Sequence, residues 1–92
     1  MDTIIIYDIS ENSLRTRVSK VLLDYGCIRI QESAFYGILN HNTREKLRLR
    51  LEKMMHGREG NIQFYPLCSK CFSLKESIGE IYKINEEDIT VL

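Results

Sequence analysis

The sequence predicts a ferredoxin-like βαββαβ plait, an α+β two-layer sandwich with an extra C-terminal strand. Two segments repeat apolar residues at helical spacing, and runs of β-branched and aromatic residues around them predict the strands. The chain of 92 residues is short enough to favour one domain with a small core. We assign residues 1–78 to that domain, and residues 79–92 to a strand and tail exchanged onto a partner subunit.

The first strand and the first helix follow one another directly. Thr3–Tyr7 is a β-branched and aromatic run, typical of a strand that is covered on both faces or lies at a subunit interface. The strand ends at Asp8, and a serine or asparagine within residues 10–13 can cap the next helix. Apolar residues then repeat at helical spacing: Leu14, Val18, Val21, Leu22 and Tyr25. Gly26 ends this helix, because glycine tolerates left-handed dihedral angles.

The segment from Cys27 to Leu39 is rich in β-forming residues. It can be one bent strand or two short strands that meet near residues 31–34, since its periodicity fits both. Asn42 and Glu45 have the spacing of a capping box, which predicts the start of a second helix. The apolar face of that helix comprises Leu47, Leu51, Met54 and Met55.

The final predicted strands lie on either side of a mixed connector. Asn61–Leu67 alternates apolar and polar residues, as a strand with one buried face does. Pro66 places this segment near a strand end or a sheet edge, because proline cannot donate a backbone hydrogen bond. One more strand is predicted at residues 79–84, and after a compact core it would pair with another subunit.

Composition and charge limit the class of protein. The chain has 13 Lys and Arg against 13 Asp and Glu, and 43% of its residues are hydrophobic, so we exclude a disordered chain. No apolar run reaches the length of about 18 residues that a membrane span needs. The odd number of 3 cysteines does not fit a secreted disulfide framework, and a cytoplasmic protein is the default. The charge is uneven: residues 1–58 carry a net +3, and the remainder carries −3.

A small set of charged residues could support chemistry. Asp8 follows a buried strand, where its carboxylate can be a simple helix cap or a ligand for a hard cation. One carboxylate is a poor metal site, but a two-fold axis would bring a second copy of it. Arg15, Arg17 and Arg29 could each contact a phosphate backbone or stay solvated.

Cys68 and Cys71 form a single C-x-x-C pair. Zinc would need two more ligands, and no second pair is present in the sequence. A redox role would require the pair at a helix N-terminus after a strand. The pair does follow a predicted strand, but the intervening Ser69 and Lys70 are unremarkable residues, so the sequence favours inert or structural cysteines.

Four segments occur together in the order of one known family. Ile6–Ile9 carries the sequence Y-D-I, and Leu14–Leu22 carries R-T-R-V-S-K-V-L. Arg29–Gly37 reads R-I-Q-E-S-A-F-Y-G, and Phe64–Cys71 reads F-Y-P-L-C-S-K-C. In this combination the chain resembles the Cas2 family, the small CRISPR-associated proteins of the spacer-acquisition machinery. Ala34, where the family usually has valine, is a minor departure.

The resemblance implies a homodimer in which the C-terminal strand extends the sheet of the partner. It also implies that Asp8 of each subunit faces the other across a cleft. Family members described as nucleases use this pair to hold Mg²⁺ and hydrolyse phosphodiester bonds in RNA or double-stranded DNA. On this basis the nucleic-acid contacts would be Arg15, Arg17 and Arg29. The residues supporting the cleft would be Ser33 and Phe35.

The same resemblance implies a second role that requires no catalysis. The family's dimer bridges copies of the Cas1 integrase and supports duplex DNA, so this chain could be a DNA-binding scaffold subunit. Its charge pattern offers plausible backbone contacts on the second helix: Arg44, Lys46, Arg48, Arg50 and Lys53. In that case Asp8 would be a structural carboxylate.

Overall fold

One antiparallel sheet, two long helices and one short helix form the part of the chain that the structure describes. The computed structural model describes residues 1–80. Its elements are β1 (Asp2–Asp8), α1 (Asn12–Asp24), β2 (Ile28–Gln31), β3 (Ala34–Ile38), α2 (His41–Met55), β4 (Asn61–Leu67) and α3 (Ser69–Ser73). The sheet order is β2-β3-β1-β4, with every neighbouring pair antiparallel. This order confirms the predicted ferredoxin-like plait and puts β1 in the middle of the sheet.

The two faces of β1 have different surroundings. Thr3, Ile5 and Tyr7 are buried on the helix-covered face, while Ile6 on the other face is 41% exposed. The core is formed mainly by α1, α2 and the inner face of the sheet: Ile5, Tyr7, Leu14, Val18, Val21, Leu22, Phe35, Leu47 and Leu51. Within residues 1–80, therefore, the second face of β1 is covered only at its start, where Asp2 is buried. The alternative, that its second face lies at a subunit interface, stays a prediction.

The segment from residue 27 to residue 39 forms two strands. β2 and β3 are joined by Glu32 and Ser33 in a tight hairpin, with an irregular register between Arg29 and Gln31. Two short strands is therefore the correct choice between the alternatives that the sequence left open. The hairpin brings its tip next to the end of β1, where the Tyr7 backbone N–H donates to the Ser33 carbonyl at 3.0 Å.

The helix ends differ in detail from the sequence-based expectation. Glu11 precedes α1 without a side-chain capping bond. Before α2 the cap is Asn40, whose side chain accepts a hydrogen bond from the Thr43 N–H at 2.8 Å, so the cap predicted at Asn42 is wrong by two residues. Gly26 follows α1 with a φ of +84°, which confirms its predicted role.

The last described elements surround the sheet edge. β4 is an edge strand, and Pro66 lies near its end opposite Thr3, as predicted. The predicted connector contains the short helix α3, whose Phe72 ring stacks on Tyr36 at a centroid distance of 4.6 Å. The strand predicted at residues 79–84 and the acidic tail lie almost wholly outside the described residues. Between residues 1 and 80, no helix has the length and apolar character needed to span a membrane.

Candidate functional site

Asp8 ends the central strand on the face of the sheet that the long helices leave open. Its side chain is exposed, and its backbone pairs with Asn61 of β4. Gly60 packs directly against the Asp8 carbonyl oxygen, and a Cβ at that position would collide with it and lie 3.2 Å from the Ile9 Cα. Gly60 also has a φ of +114°, which L-residues rarely adopt. A glycine is therefore needed to fix the backbone beside Asp8.

An open depression of about 630 Å³ connects Asp8 with the basic residues of α1 and the hairpin. Four of the predicted site residues line it, namely Asp8, Arg15, Arg29 and Ser33. Thr16, Ser19 and Lys20 of α1 also line it. The end of β1, the first turns of α1 and the tip of the hairpin are neighbours in this fold, which explains why residues distant in sequence meet here.

Arg29 is held in place from three directions. Its Nη2 donates to the Ser19 hydroxyl at 3.1 Å, and its Nη1 donates to the carbonyl oxygen of Glu32. Its Cζ lies 4.7 Å from the centre of the Phe35 ring. A cation fixed in this way is already oriented before a ligand arrives, so less side-chain entropy is lost on binding.

Phe35 is fully buried in the core, and it is not among the residues that line the depression. Its ring lies 6.2 Å from the ring of Tyr7 and beneath the guanidinium of Arg29. Any contribution of Phe35 to the site is therefore made through Arg29. The supporting role of Phe35 in the cleft stays a prediction.

Tyr7 and Ser19 are two members of the site that the sequence analysis did not single out. The Tyr7 hydroxyl lies 2.9 Å from the Ser19 hydroxyl and donates to the Glu32 carbonyl at 3.3 Å. The available signal was the spacing of Arg15 and Ser19, since residues four apart share one face of a helix. The Tyr7 hydroxyl itself gave no pattern signal, because it belongs to a strand residue that is otherwise part of the core.

Arg15 and Arg17 have different surroundings. Arg15 lines the depression and donates from Nη1 to the Ile9 carbonyl at 3.2 Å. Arg17 is exposed and does not line it. The pKa of Glu11 lies below its usual value, because the carboxylate accepts hydrogen bonds from Ser13 and from the guanidinium of Arg58. The charge of Arg17 has a smaller effect in the same direction. The structure thus groups Arg15 with Arg29 and separates Arg17 from them.

The basic residues predicted on α2 form a second surface. Leu47 and Leu51 point into the core, which leaves the charged side chains of α2 at or near the surface. Arg48 forms ion pairs with Glu45 and Glu52, each at 3.0 Å, so its charge is largely balanced locally.

The described residues of one chain offer few side chains that could together bind a metal ion. No group of three or more His, Cys, Asp and Glu residues that could hold a metal is present in residues 1–80. Asp8 offers one exposed carboxylate beside basic residues. Mg²⁺ is commonly bound by one or two carboxylates together with waters and substrate phosphates. The oxygen chemistry of Asp8 therefore fits Mg²⁺ shared with a substrate, and does not fit a metal cage built by one chain.

Comparisons with known proteins identify the family. A family model described as CRISPR associated protein Cas2 matches residues 1–75. The CRISPR-associated endoribonuclease Cas2 of Desulforudis audaxviator is 37% identical over 85% of this chain and 74% of its own length. A CRISPR-associated endonuclease Cas1/endonuclease Cas2 fusion from Thermoproteus tenax is 37% identical over 71% of this chain, which corresponds to 25% of the fusion.

A solved structure agrees at the level of the fold. The crystal structure of Streptococcus pyogenes Cas2 at pH 6.5 matches with a TM-score of 0.74 and 24% sequence identity, covering 86% of this chain and 100% of that chain. The family model covers most of the chain and includes all four segments on which the sequence resemblance depends. This chain belongs to the Cas2 family of CRISPR-associated proteins.

Proposed function

We propose that the protein is a metal-dependent endonuclease that cleaves phosphodiester bonds in RNA and acts as a homodimer in CRISPR adaptation. The observation that carries the proposal is the placement of exposed Asp8 in one depression with Arg15 and the oriented Arg29. Relatives at 33–37% identity are named CRISPR-associated endoribonuclease, which favours RNA over double-stranded DNA as the substrate. The proposal includes a cytoplasmic location for the protein.

The residues of the depression have separate parts in this mechanism. Arg15 and Arg29 would bind phosphate oxygens and stabilise the negative charge that develops during hydrolysis, because charge-assisted hydrogen bonds are the strongest available. Asp8 would hold Mg²⁺, which supplies Lewis-acid stabilisation of the scissile phosphate. Ser19 and Tyr7 would keep Arg29 in position through their hydroxyl groups.

The open face of the sheet supports the proposed homodimer. Apolar side chains on that face are exposed in the single chain, including Ile6 at 41%, Ile38 at 75% and Tyr65 at 45%. Asp8 lies on the same face of β1 as Ile6, because residues two apart in a strand point the same way. A two-fold pairing through this face would therefore bring two Asp8 carboxylates together. The segment from residue 79 onward would extend the partner's sheet beside β4, the edge strand.

The test is the Asp8→Asn variant, which keeps the shape of the side chain and removes its charge. We expect Mg²⁺-dependent cleavage of single-stranded RNA to fall by about 100-fold or more, since the carboxylate ligand is lost. Asp24→Asn, the same change at an exposed residue outside the depression, is the matched control and should leave the rate unchanged. Equal rates for Asp8→Asn and the wild type would exclude the nuclease mechanism.

A non-catalytic scaffold role is the second candidate, and the basic surface of α2 favours it. A Cas1/Cas2 fusion among the relatives supports Cas1 as the partner. The test measures duplex DNA binding of the Asp8→Asn variant beside Lys46→Gln and Lys53→Gln, both exposed on α2. A scaffold retains full DNA and Cas1 binding in Asp8→Asn and loses DNA affinity in the two lysine variants. A pure nuclease would show no effect of the lysine variants on DNA binding.

A further inference from the structure

Cys68 is the N-cap of α3, and Cys71 lies in its first turn. Both are exposed, and the backbone N–H of Cys71 donates to the Cys68 Sγ at 3.4 Å. Phe72, the next residue, is anchored against Tyr36 by ring stacking at 4.6 Å. The pair is thus held on the sheet by its neighbour while both thiols stay accessible. The sequence showed the C-x-x-C spacing but not that its first cysteine contacts the backbone of the second.

We propose that Cys68 and Cys71 form a redox-active dithiol that exchanges with low-molecular-weight disulfides of the glutathione class. Cys68 is the attacking thiol and Cys71 the resolving thiol. The proposal is independent of nuclease activity, because neither cysteine lines the depression that contains Asp8. The sequence alone favours inert or structural cysteines, but the exposure of both thiols and the Cys71 N–H bond to the Cys68 Sγ favour reversible redox chemistry.

The two thiols have different acidities, and the geometry explains the difference. Hydrogen bonds from the Cys71 backbone N–H and then from the Cys71 thiol lower the pKa of Cys68. The same thiol–thiol contact raises the pKa of Cys71, since it donates its proton to Cys68. Because the thiolate is the nucleophile, Cys68 reacts first. Cys27 is a buried internal control, and burial raises its pKa to about 11.

The small disulfide is the only oxidant that the formation of the Cys68–Cys71 bond requires. The Cys68 thiolate attacks one sulfur of the small disulfide, forms a mixed disulfide and releases the other half as a thiolate. Cys71 then loses its proton to solvent and attacks the Cys68 Sγ, forming the intramolecular bond and releasing the second small thiolate. Both small thiolates take up protons according to pH. Two cysteine thiols are oxidised and one small disulfide is reduced to two thiols, a two-electron exchange.

The test equilibrates the full chain with mixtures of reduced and oxidised glutathione, followed by alkylation and peptide mass spectrometry. We expect one Cys68–Cys71 disulfide per chain, with a population that follows a two-electron dependence on the glutathione ratio. Cys27→Ala should behave as the wild type. Cys71→Ser should accumulate glutathione on Cys68. Cys68→Ser should react at Cys71 about threefold more slowly, because Cys71 lacks the backbone N–H bond that lowers the pKa of Cys68.

Three results would overturn the proposal. These are thiols that remain reduced at every glutathione ratio, disulfides formed only between chains, and equal reaction rates of Cys68 and Cys71 in the two serine variants. Circular dichroism of each variant checks that the chain remains folded, which is expected because both thiols are exposed.

Discussion

Arg29 lies with its Cζ 4.7 Å from the centre of the Phe35 ring, so a residue of the core fixes a cation of the site. We expect Phe35→Leu to weaken RNA binding by about 2- to 30-fold, because a cation–π contact contributes about 0.5–2 kcal/mol. It should also lower the free energy of unfolding. Phe64→Leu is the matched control, since Phe64 packs against the core from β4, at the opposite edge of the sheet from the strand that carries Arg29. Fluorescence anisotropy and urea unfolding measure the two effects, and equal losses of affinity in both variants would contradict the coupling.

The Ser19 hydroxyl connects Arg29 to Tyr7, at 3.1 Å and 2.9 Å respectively. Ser19→Ala and Tyr7→Phe should each cost about 1 kcal/mol of stability, since each removes a hydrogen-bond partner. The two changes share one network, so the double variant should cost less than the sum of the single variants. Urea unfolding of the four proteins measures this coupling energy. Strict additivity would show that the network is not maintained in solution.

Local patterns predicted most of the fold, while side-chain networks escaped prediction. The apolar spacing of Leu14 and Val18 defines α1 because a helical repeat is encoded within a few residues. The hairpin after Gln31 was ambiguous, since its turn residues Glu32 and Ser33 lack the Asn-Gly or Gly-containing signal of tight hairpins. The capping residue of α2 was misplaced because the asparagines at 40 and 42 both satisfy the same preference.

The candidate site was predicted in part for a similar reason. Asp8, Arg15 and Arg29 were assigned to one site by the resemblance to the Cas2 family, and the structure brings all three to one depression. The distinction between Arg15 and Arg17 depends on which side of α1 faces the depression, and this requires the helix to be docked. The bond from Tyr7 to Ser19 depends on side-chain rotamers that sequence spacing does not encode.

Gly60 should be less tolerant of substitution than Gly57. Both have positive φ, +114° and +71°, but only at Gly60 would a Cβ collide with the backbone of Asp8. We expect Gly60→Ala to cost about 1–3 kcal/mol, because strain of a sparsely populated φ adds to the clash. RNA cleavage should fall with it. Gly57→Ala, where the added Cβ meets open space, is the control, and thermal unfolding with an activity assay compares them. Equal losses in the two variants would contradict the role assigned to Gly60.

The ion pair of Glu11 with Arg58, at 2.6 Å, should make stability depend on pH in a defined direction. Hydrogen bonds from Ser13 and Arg58 lower the pKa of Glu11 from its usual 4.5, so its contribution is present above pH 4.5 and is lost as the pH falls through the lowered value. Arg58→Gln should therefore reduce the melting temperature at about pH 7 more than at about pH 3. In a Glu11→Gln background the same change should have no pH-dependent effect. A constant difference across this pH range would exclude the linkage.

Arg15 and Arg17 should differ in their contribution to RNA binding, although the sequence gives them the same appearance. Arg15 lines the depression together with Arg29, whereas Arg17 does not. Each phosphate contact to a single strand contributes about −0.7 to the slope of log K against log salt concentration. We expect Arg15→Gln and Arg29→Gln to reduce that slope by about this amount, and Arg17→Gln to change it little. Binding titrations of one RNA at several salt concentrations provide the slopes for all three variants and the wild type. If Arg17→Gln reduced the slope as much as Arg15→Gln, the RNA would have to run along the outer side of α1, not through the depression.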